Sequence, residues 1–154
     1  MPPFIVESVD GIKSLVGKEI GVSDWLVIEQ DRINAFADAT GDRQWIHLDA
    51  ERAKRESPFG KTIAHGFLTL SLISHLMQQT VQIRTGSRLA VNYGLNRVRF
   101  PAPVREGSRI RGHFTLVSFK DLRDSYEAIF NCSVECEGLE KPACVAEWLV
   151  RYFK

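Results

Sequence analysis

The sequence predicts an α+β fold, and three observations carry that prediction. Residues 66–81 are the most apolar stretch of the chain, with Phe67, Leu68, Leu70, Leu72, Ile73, Leu76 and Met77 leaving almost no polar face. A helix apolar nearly all round is buried in a core. From Leu89 onward the pattern changes to runs rich in β-forming residues. Within residues 126–134, Tyr126, Ala128, Phe130, Cys132 and Val134 alternate with Glu127, Ile129, Asn131 and Ser133, which indicates an antiparallel strand with one buried face. One buried helix followed by long antiparallel strands suggests a sheet curled around that helix, while strand order is not readable from periodicity.

In chain order, residues 25–28 resemble a short strand. A helix is expected over residues 29–40, where Ile33, Phe36 and Ala37 recur at helical spacing and Gly41 acts as a stop. A loop through His47 follows, then Asp49 can cap a brief helix over residues 50–55. Ser57, Pro58, Phe59 and Gly60 impose irregular backbone ahead of the long helix over 66–81. Strands are expected over 89–93 with 97–100, 110–119, 126–134 and 144–152, separated by turns at 101–107, 121–125 and 138–142. No repeat, low-complexity tract or linker divides the 154 residues, so one domain over 1–154 is expected.

Charge and composition exclude several classes. Twenty Lys and Arg against nineteen Asp and Glu leave a formal net charge of +1, without the basic surplus of a nucleic-acid binder. His75 and several hydroxyl residues interrupt the apolar 66–77 stretch, which is too short for a bilayer span, so no membrane partner is expected. Met1, Pro2, Pro3 and Phe4 form no basic region ahead of an apolar one, and Glu7 and Asp10 come early. A cytoplasmic protein is the expectation. Cys132, Cys136 and Cys144 are odd in number and lie close together in a part expected to be sheet, which argues against a disulfide framework. Cys132 and Cys136 lack the spacing of a zinc knuckle, and no His lies downstream of them, so no metal site is expected.

Three segments carry residues suited to acid–base chemistry: 39–47, 63–67 and 71–74. Asp42 and His47 lie five positions apart beyond the helix stop at Gly41, where both side chains could converge on one small molecule. A carboxylate and an imidazole so placed can hold a water and pass protons both ways, or can serve structure alone. Gly66 lies at the expected start of the buried helix, where first-turn N–H groups lack helical partners and can donate to a polarised oxygen. A helix-start glycine has the same appearance. Ser74, two turns further on, needs a hydrogen-bond partner, either a carbonyl of its own helix or Asp42. His65 either packs in the loop or touches substrate. Arg97, Arg99, Arg105, Arg109 and Arg111 gather positive charge near two strand ends, either as solvated faces or as phosphate contacts.

Gly41-Asp42 with His47-Leu48-Asp49, then Ile63-Ala64-His65-Gly66 and the apolar helix, resembles the MaoC-like dehydratases and (R)-specific enoyl-CoA hydratases, especially their single-domain NodN-like branch. Residues 92–104 and 141–147 extend the resemblance over most of the chain. It implies a hot-dog fold, an antiparallel sheet wrapped around one long central helix, usually paired as a homodimer. It also implies that Asp42 and His47 activate water, that the Gly66 N–H donates to the thioester carbonyl and that Ser74 orients Asp42. His65, Arg97 and Arg99 become candidate substrate contacts. Gln44-Trp45 replaces the family's usual Asn-Pro, which makes Trp45 a candidate for reshaping the pocket mouth. The implied substrate is an acyl-CoA thioester, whose coenzyme A belongs to the substrate, and no separate cofactor is required. A hot-dog thioesterase and a noncatalytic acyl-binding module are the alternatives.

Overall fold

The computed structural model describes residues 1–154. The chain runs β1 (Phe4–Val6), α1 (Val9–Lys13), β2 (Glu19–Val22), β3 (Leu26–Val27), α2 (Gln30–Thr40), α3 (Trp45–Leu48), α4 (Ala50–Glu56), α5 (Gly66–Ser71), α6 (Ile73–Gln78), β4 (Val81–Ile83), β5 (Leu89–Arg99), β6 (Arg109–Asp121), β7 (Ser125–Cys136) and β8 (Cys144–Phe153). A six-stranded sheet has the order β2-β6-β7-β8-β5, with β3 also on β6, and every pairing in it is antiparallel. β1 and β4 form a separate parallel pair.

The alternation along β7 behaves as its sequence requires: Ala128, Phe130, Cys132, Val134 and Cys136 are buried. They meet Phe114 and Leu116 of β6 and Leu68, Leu72, Ile73 and Leu76 of the helical segment in one hydrophobic cluster. Burial of these side chains, about 1.5–3 kcal/mol each before the entropy of ordering is subtracted, holds the helix against the sheet.

The long helix differs from its expected form. It spans Gly66 to Gln78, with a turn at Leu72 that keeps right-handed helical angles (φ −76°, ψ −12°), and Val81 belongs to a strand instead. One side is not covered by this chain: Phe67 is 67% exposed, and Ser71, His75 and Gln78 continue the exposed stripe at helical spacing. The hydrophobic stretch is therefore two-sided, and the sheet satisfies one side.

α2 ends where expected. Gly41 adopts φ +80°, a left-handed conformation natural to glycine at a helix C-terminus, and its N–H bonds the Ala37 carbonyl. Asp49 caps α4 by accepting from the Arg52 N–H at 3.0 Å. The expected loop through His47 contains one helical turn, α3, which sets the direction of the His47 ring. β5 is a single strand with two bulges, and Arg97, at the second of them, has φ +51°.

Candidate active site

The site is built where the ends of α2, α3 and α5 meet. After the left-handed turn at Gly41, the Asp42 N–H donates to Thr40 Oγ1 (3.3 Å), and Asp42 Oδ1 accepts from the Gln44 N–H (3.4 Å). These local bonds hold the turn and leave the Asp42 side chain exposed to solvent. α3 then carries His47 inward until it is buried. Its Nδ1–H donates to the Ile63 carbonyl at 2.7 Å. A carbonyl can only accept, so the neutral ring must carry its proton on Nδ1 and keep a basic lone pair on Nε2. Burial depresses the His47 pKa below 6.5 and the neighbouring His65 adds to that effect, against the opposing pulls of the Ile63 carbonyl and the Asp42 carboxylate.

Two further side chains brace this arrangement. Gln30, at the start of α2, donates from Nε2 to the His47 carbonyl at 2.7 Å and accepts from the Thr62 hydroxyl at 2.6 Å. His65 is buried immediately before Gly66; its Nε2–H donates to the Asp42 carbonyl at 2.9 Å, and its ring stacks on His47 with centroids 3.8 Å apart. The segment Thr62 to His65 thus ties α2, Asp42 and His47 to the start of the core helix.

At that start the Gly66 and Phe67 N–H groups donate to no carbonyl, as the first turn of a helix requires. The glycine has a specific packing reason. A Cβ at Gly66 would lie 3.1 Å from the Phe100 ring, so a protein side chain, rather than a ligand, occupies the space glycine leaves. A cavity of about 320 Å³ lies between Ile63, Gly66, Thr69, Phe100, Pro101 and Val104. Further along the helix a groove of about 280 Å³ is lined by Leu70, Ser71, Ser74, Tyr93, Leu95 and Trp148.

Asp42 and His47 therefore meet at His65, the residue that precedes Gly66. Ser74 does not join them. Its hydroxyl accepts from Gln78 Nε2 at 3.4 Å and lines the distal groove. The reason is helical rise: eight residues carry it about 12 Å along the axis from Gly66, while Asp42 is held at the helix start. Within the single chain the Ser74 hydroxyl makes no hydrogen bond to Asp42. Trp45 is half-buried on α3, with the Arg52 guanidinium 4.2 Å above its ring. Arg97 lines a different cavity, with Glu19, His113 and Glu147, and the exposed Arg99 donates to the Val98 carbonyl. Arg109 pairs with Glu137, and Arg111 with Glu135 at 2.7 Å, which neutralises two of the five clustered arginines.

Asp42, His47 and His65 each have a potential metal-ligand atom within 4.8 Å of the others. Imidazole lone pairs lie in the ring plane, however, and these rings face each other with their planes 23° apart. The arrangement suits holding and passing a proton better than converging on one ion.

Residues 12–135 match the MaoC-like domain. The chain belongs to the MaoC-like domain family. Among its relatives, the 3-hydroxyacyl-thioester dehydratase Z of Mycobacterium tuberculosis is 53% identical over 147 residues, covering 95% of this chain and 96% of that protein. Nodulation protein N of Rhizobium meliloti is 47% identical over 143 residues, covering 92% and 89% respectively. The unliganded R-hydratase of Pseudomonas aeruginosa superposes with a TM-score of 0.71 at 23% identity, covering 90% of this chain and 82% of that one. A monoamine oxidase regulatory protein from Archaeoglobus superposes at 0.78 with 24% identity, covering 100% and 99%. The fold of this MaoC-like chain is the hot-dog fold.

Gln30, Thr62 and Phe100 were not legible as site residues. Gln30 and Thr62 are 32 positions apart, and neither lies in a recognisable motif.

Proposed function

We propose that this MaoC-like protein is a hydro-lyase that adds water to trans-2-enoyl-CoA thioesters to give (R)-3-hydroxyacyl-CoA, or runs the reverse dehydration. The observation that carries the reading is the fixed His47 tautomer, with its Nε2 lone pair free, on a ring clustered within 4.8 Å of Asp42 and of His65, the residue that precedes the unpaired Gly66 N–H. Addition of water at the β-carbon builds enolate charge on the thioester oxygen. The Gly66 N–H stabilises that charge more in the transition state than in the ground state. The Asp42–His47 pair takes a proton from the attacking water and returns one to the α-carbon, and the two groups act as one unit. Coenzyme A enters and leaves with the substrate, and the residues themselves supply the proton transfers, so no cofactor is invoked.

Two relatives support the substrate class: the 3-hydroxyacyl-thioester dehydratase, and a 3-hydroxybutyryl-CoA dehydratase of Methylorubrum extorquens that is 33% identical over 127 residues. The (R) outcome follows the motif resemblance. Trp45 on α3 remains the candidate for the pocket mouth, and Arg99 for a coenzyme A phosphate. A homodimer belongs to the same proposal. β5 is an edge strand, paired with β8 on one side only and carrying exposed Leu89, Val91, Tyr93 and Leu95, and the helix stripe around Phe67 is uncovered; a second copy would satisfy both. A cytoplasmic location is supported by three buried free thiols, of which burial pushes Cys132 up to about 12 and Cys144 to about 11. No helix is long and apolar enough to cross a membrane.

Incubation with a short trans-2-enoyl-CoA tests the reading. Loss of the conjugated double bond without release of free thiol is expected. Thiol release would instead make the protein a thioesterase, and no reaction would make it a noncatalytic acyl-binding module.

A further inference from the structure

His65 is buried, and its ring makes one hydrogen bond and one close stack, both with the proposed acid–base pair. Its Nε2–H holds the Asp42 carbonyl at 2.9 Å, and its face covers the His47 ring at 3.8 Å; Phe36 supports it from another side, with ring centroids 4.9 Å apart. Its other nitrogen, Nδ1, is buried without a hydrogen-bond partner. An ordinary packing residue at this position would be apolar, since an unpaired buried nitrogen costs free energy that a phenyl ring avoids. The single hydrogen bond and the stack must justify the imidazole. Both act on groups that sequence alone separates by eighteen residues or more.

We propose that His65 is a positioning residue that locks Asp42 and His47 into one acid–base unit, by clamping the Asp42 backbone and shielding the face of His47. The proposal rests on the hydratase reading for its kinetic consequences, whereas the clamp itself is a property of the free protein. The titratable groups facing His47 are Asp42 and His65, and the remaining polar contact to its ring is the Ile63 carbonyl. Water that reaches the uncovered His47 face would relieve the desolvation that depresses its pKa.

The two contacts are separable by substitution. His65→Phe keeps a flat ring over His47 but cannot donate to Asp42. His65→Gln supplies an amide donor but leaves the His47 face open. With a short trans-2-enoyl-CoA, His65→Phe is expected to lower kcat by about 10–100-fold, the cost of mis-set catalytic geometry, while KM changes by less than about threefold. In His65→Gln, the His47 titration followed by imidazole proton NMR is expected to move upward by about half a unit, and the acid limb of kcat/KM with it.

Wild-type kcat in folded His65→Phe, together with an unmoved His47 titration in His65→Gln, would overturn the proposal and leave a packing residue. A rise in KM alone would overturn it in favour of a substrate contact. Absence of turnover in the wild-type protein would refute the reaction instead, and the NMR titration would still decide whether His65 shields His47.

Discussion

His47→Gln and Asp42→Asn should each lower hydratase turnover by about 10²–10⁴-fold, the usual worth of a positioned acid or base. The structure explains why neither residue can be replaced by its neighbour. His47 is held from three directions, by the Ile63 carbonyl on Nδ1, by Gln30 on its backbone and by His65 on its face, so its Nε2 lone pair has one place to point. Gln has no ring nitrogen to accept a proton. Asn keeps the shape of Asp42 but removes the charge. Neither change disturbs the hydrophobic cluster, and thermal unfolding should stay close to wild type. Because the pair acts as a unit, the double variant should be little slower than the worse single one. Multiplication of the two losses would show independent action, and wild-type rates in either single variant would move the active site elsewhere.

The second large effect is expected at Gly66. The Ala Cβ would come within 3.1–3.2 Å of three atoms of the Phe100 ring, closer than ordinary van der Waals contact. Either Phe100 or the helix start must shift, and the helix start carries the N–H proposed to meet the thioester oxygen. Turnover should fall by about 10–100-fold, the scale of a mis-set donor. Stability should change little, because Ala is the better helix former by about 1 kcal/mol and offsets part of the crowding. The control is the double variant Gly66→Ala/Phe100→Ala, which removes the obstructing ring and should recover much of the loss. Full activity in Gly66→Ala alone would show that the position of this N–H does not matter to the reaction.

How far the sequence discloses this molecule depends on the range over which each signal acts. The alternation in β7 and the capping signals at Gly41 and Asp49 are local, and the structure follows them closely. β1 and β2, of three and four residues, are too short to show any period, and their partners lie far along the chain. The apolar helix was legible as a core element, but composition does not distinguish a side facing the sheet from one uncovered in a single chain, hence the unexpected exposure of Phe67. In the site, motif spacing brought out Asp42, His47 and Gly66. It also pointed to Ser74, whose hydroxyl in the single chain bonds Gln78, one turn along its own helix, and makes no hydrogen bond to Asp42. The supports at Gln30, Thr62 and Phe100 arise from chain folding alone, so no local pattern marks them.

The proposed catalysis requires a neutral His47 imidazole, held by its neighbours. Its pKa is lowered chiefly by burial, so it remains neutral below the ordinary value of 6.5. As pH falls, the free protein should keep its base until the pH passes that lowered value, and kcat/KM for a short trans-2-enoyl-CoA should decline only there. The decisive measurement is the acid limb of that profile, with His47 titrated by NMR in the same buffers. One apparent pKa below 6.5 common to both curves is expected; an acid limb above 6.5, or one unrelated to the His47 titration, would contradict a catalytic role for the buried neutral His47.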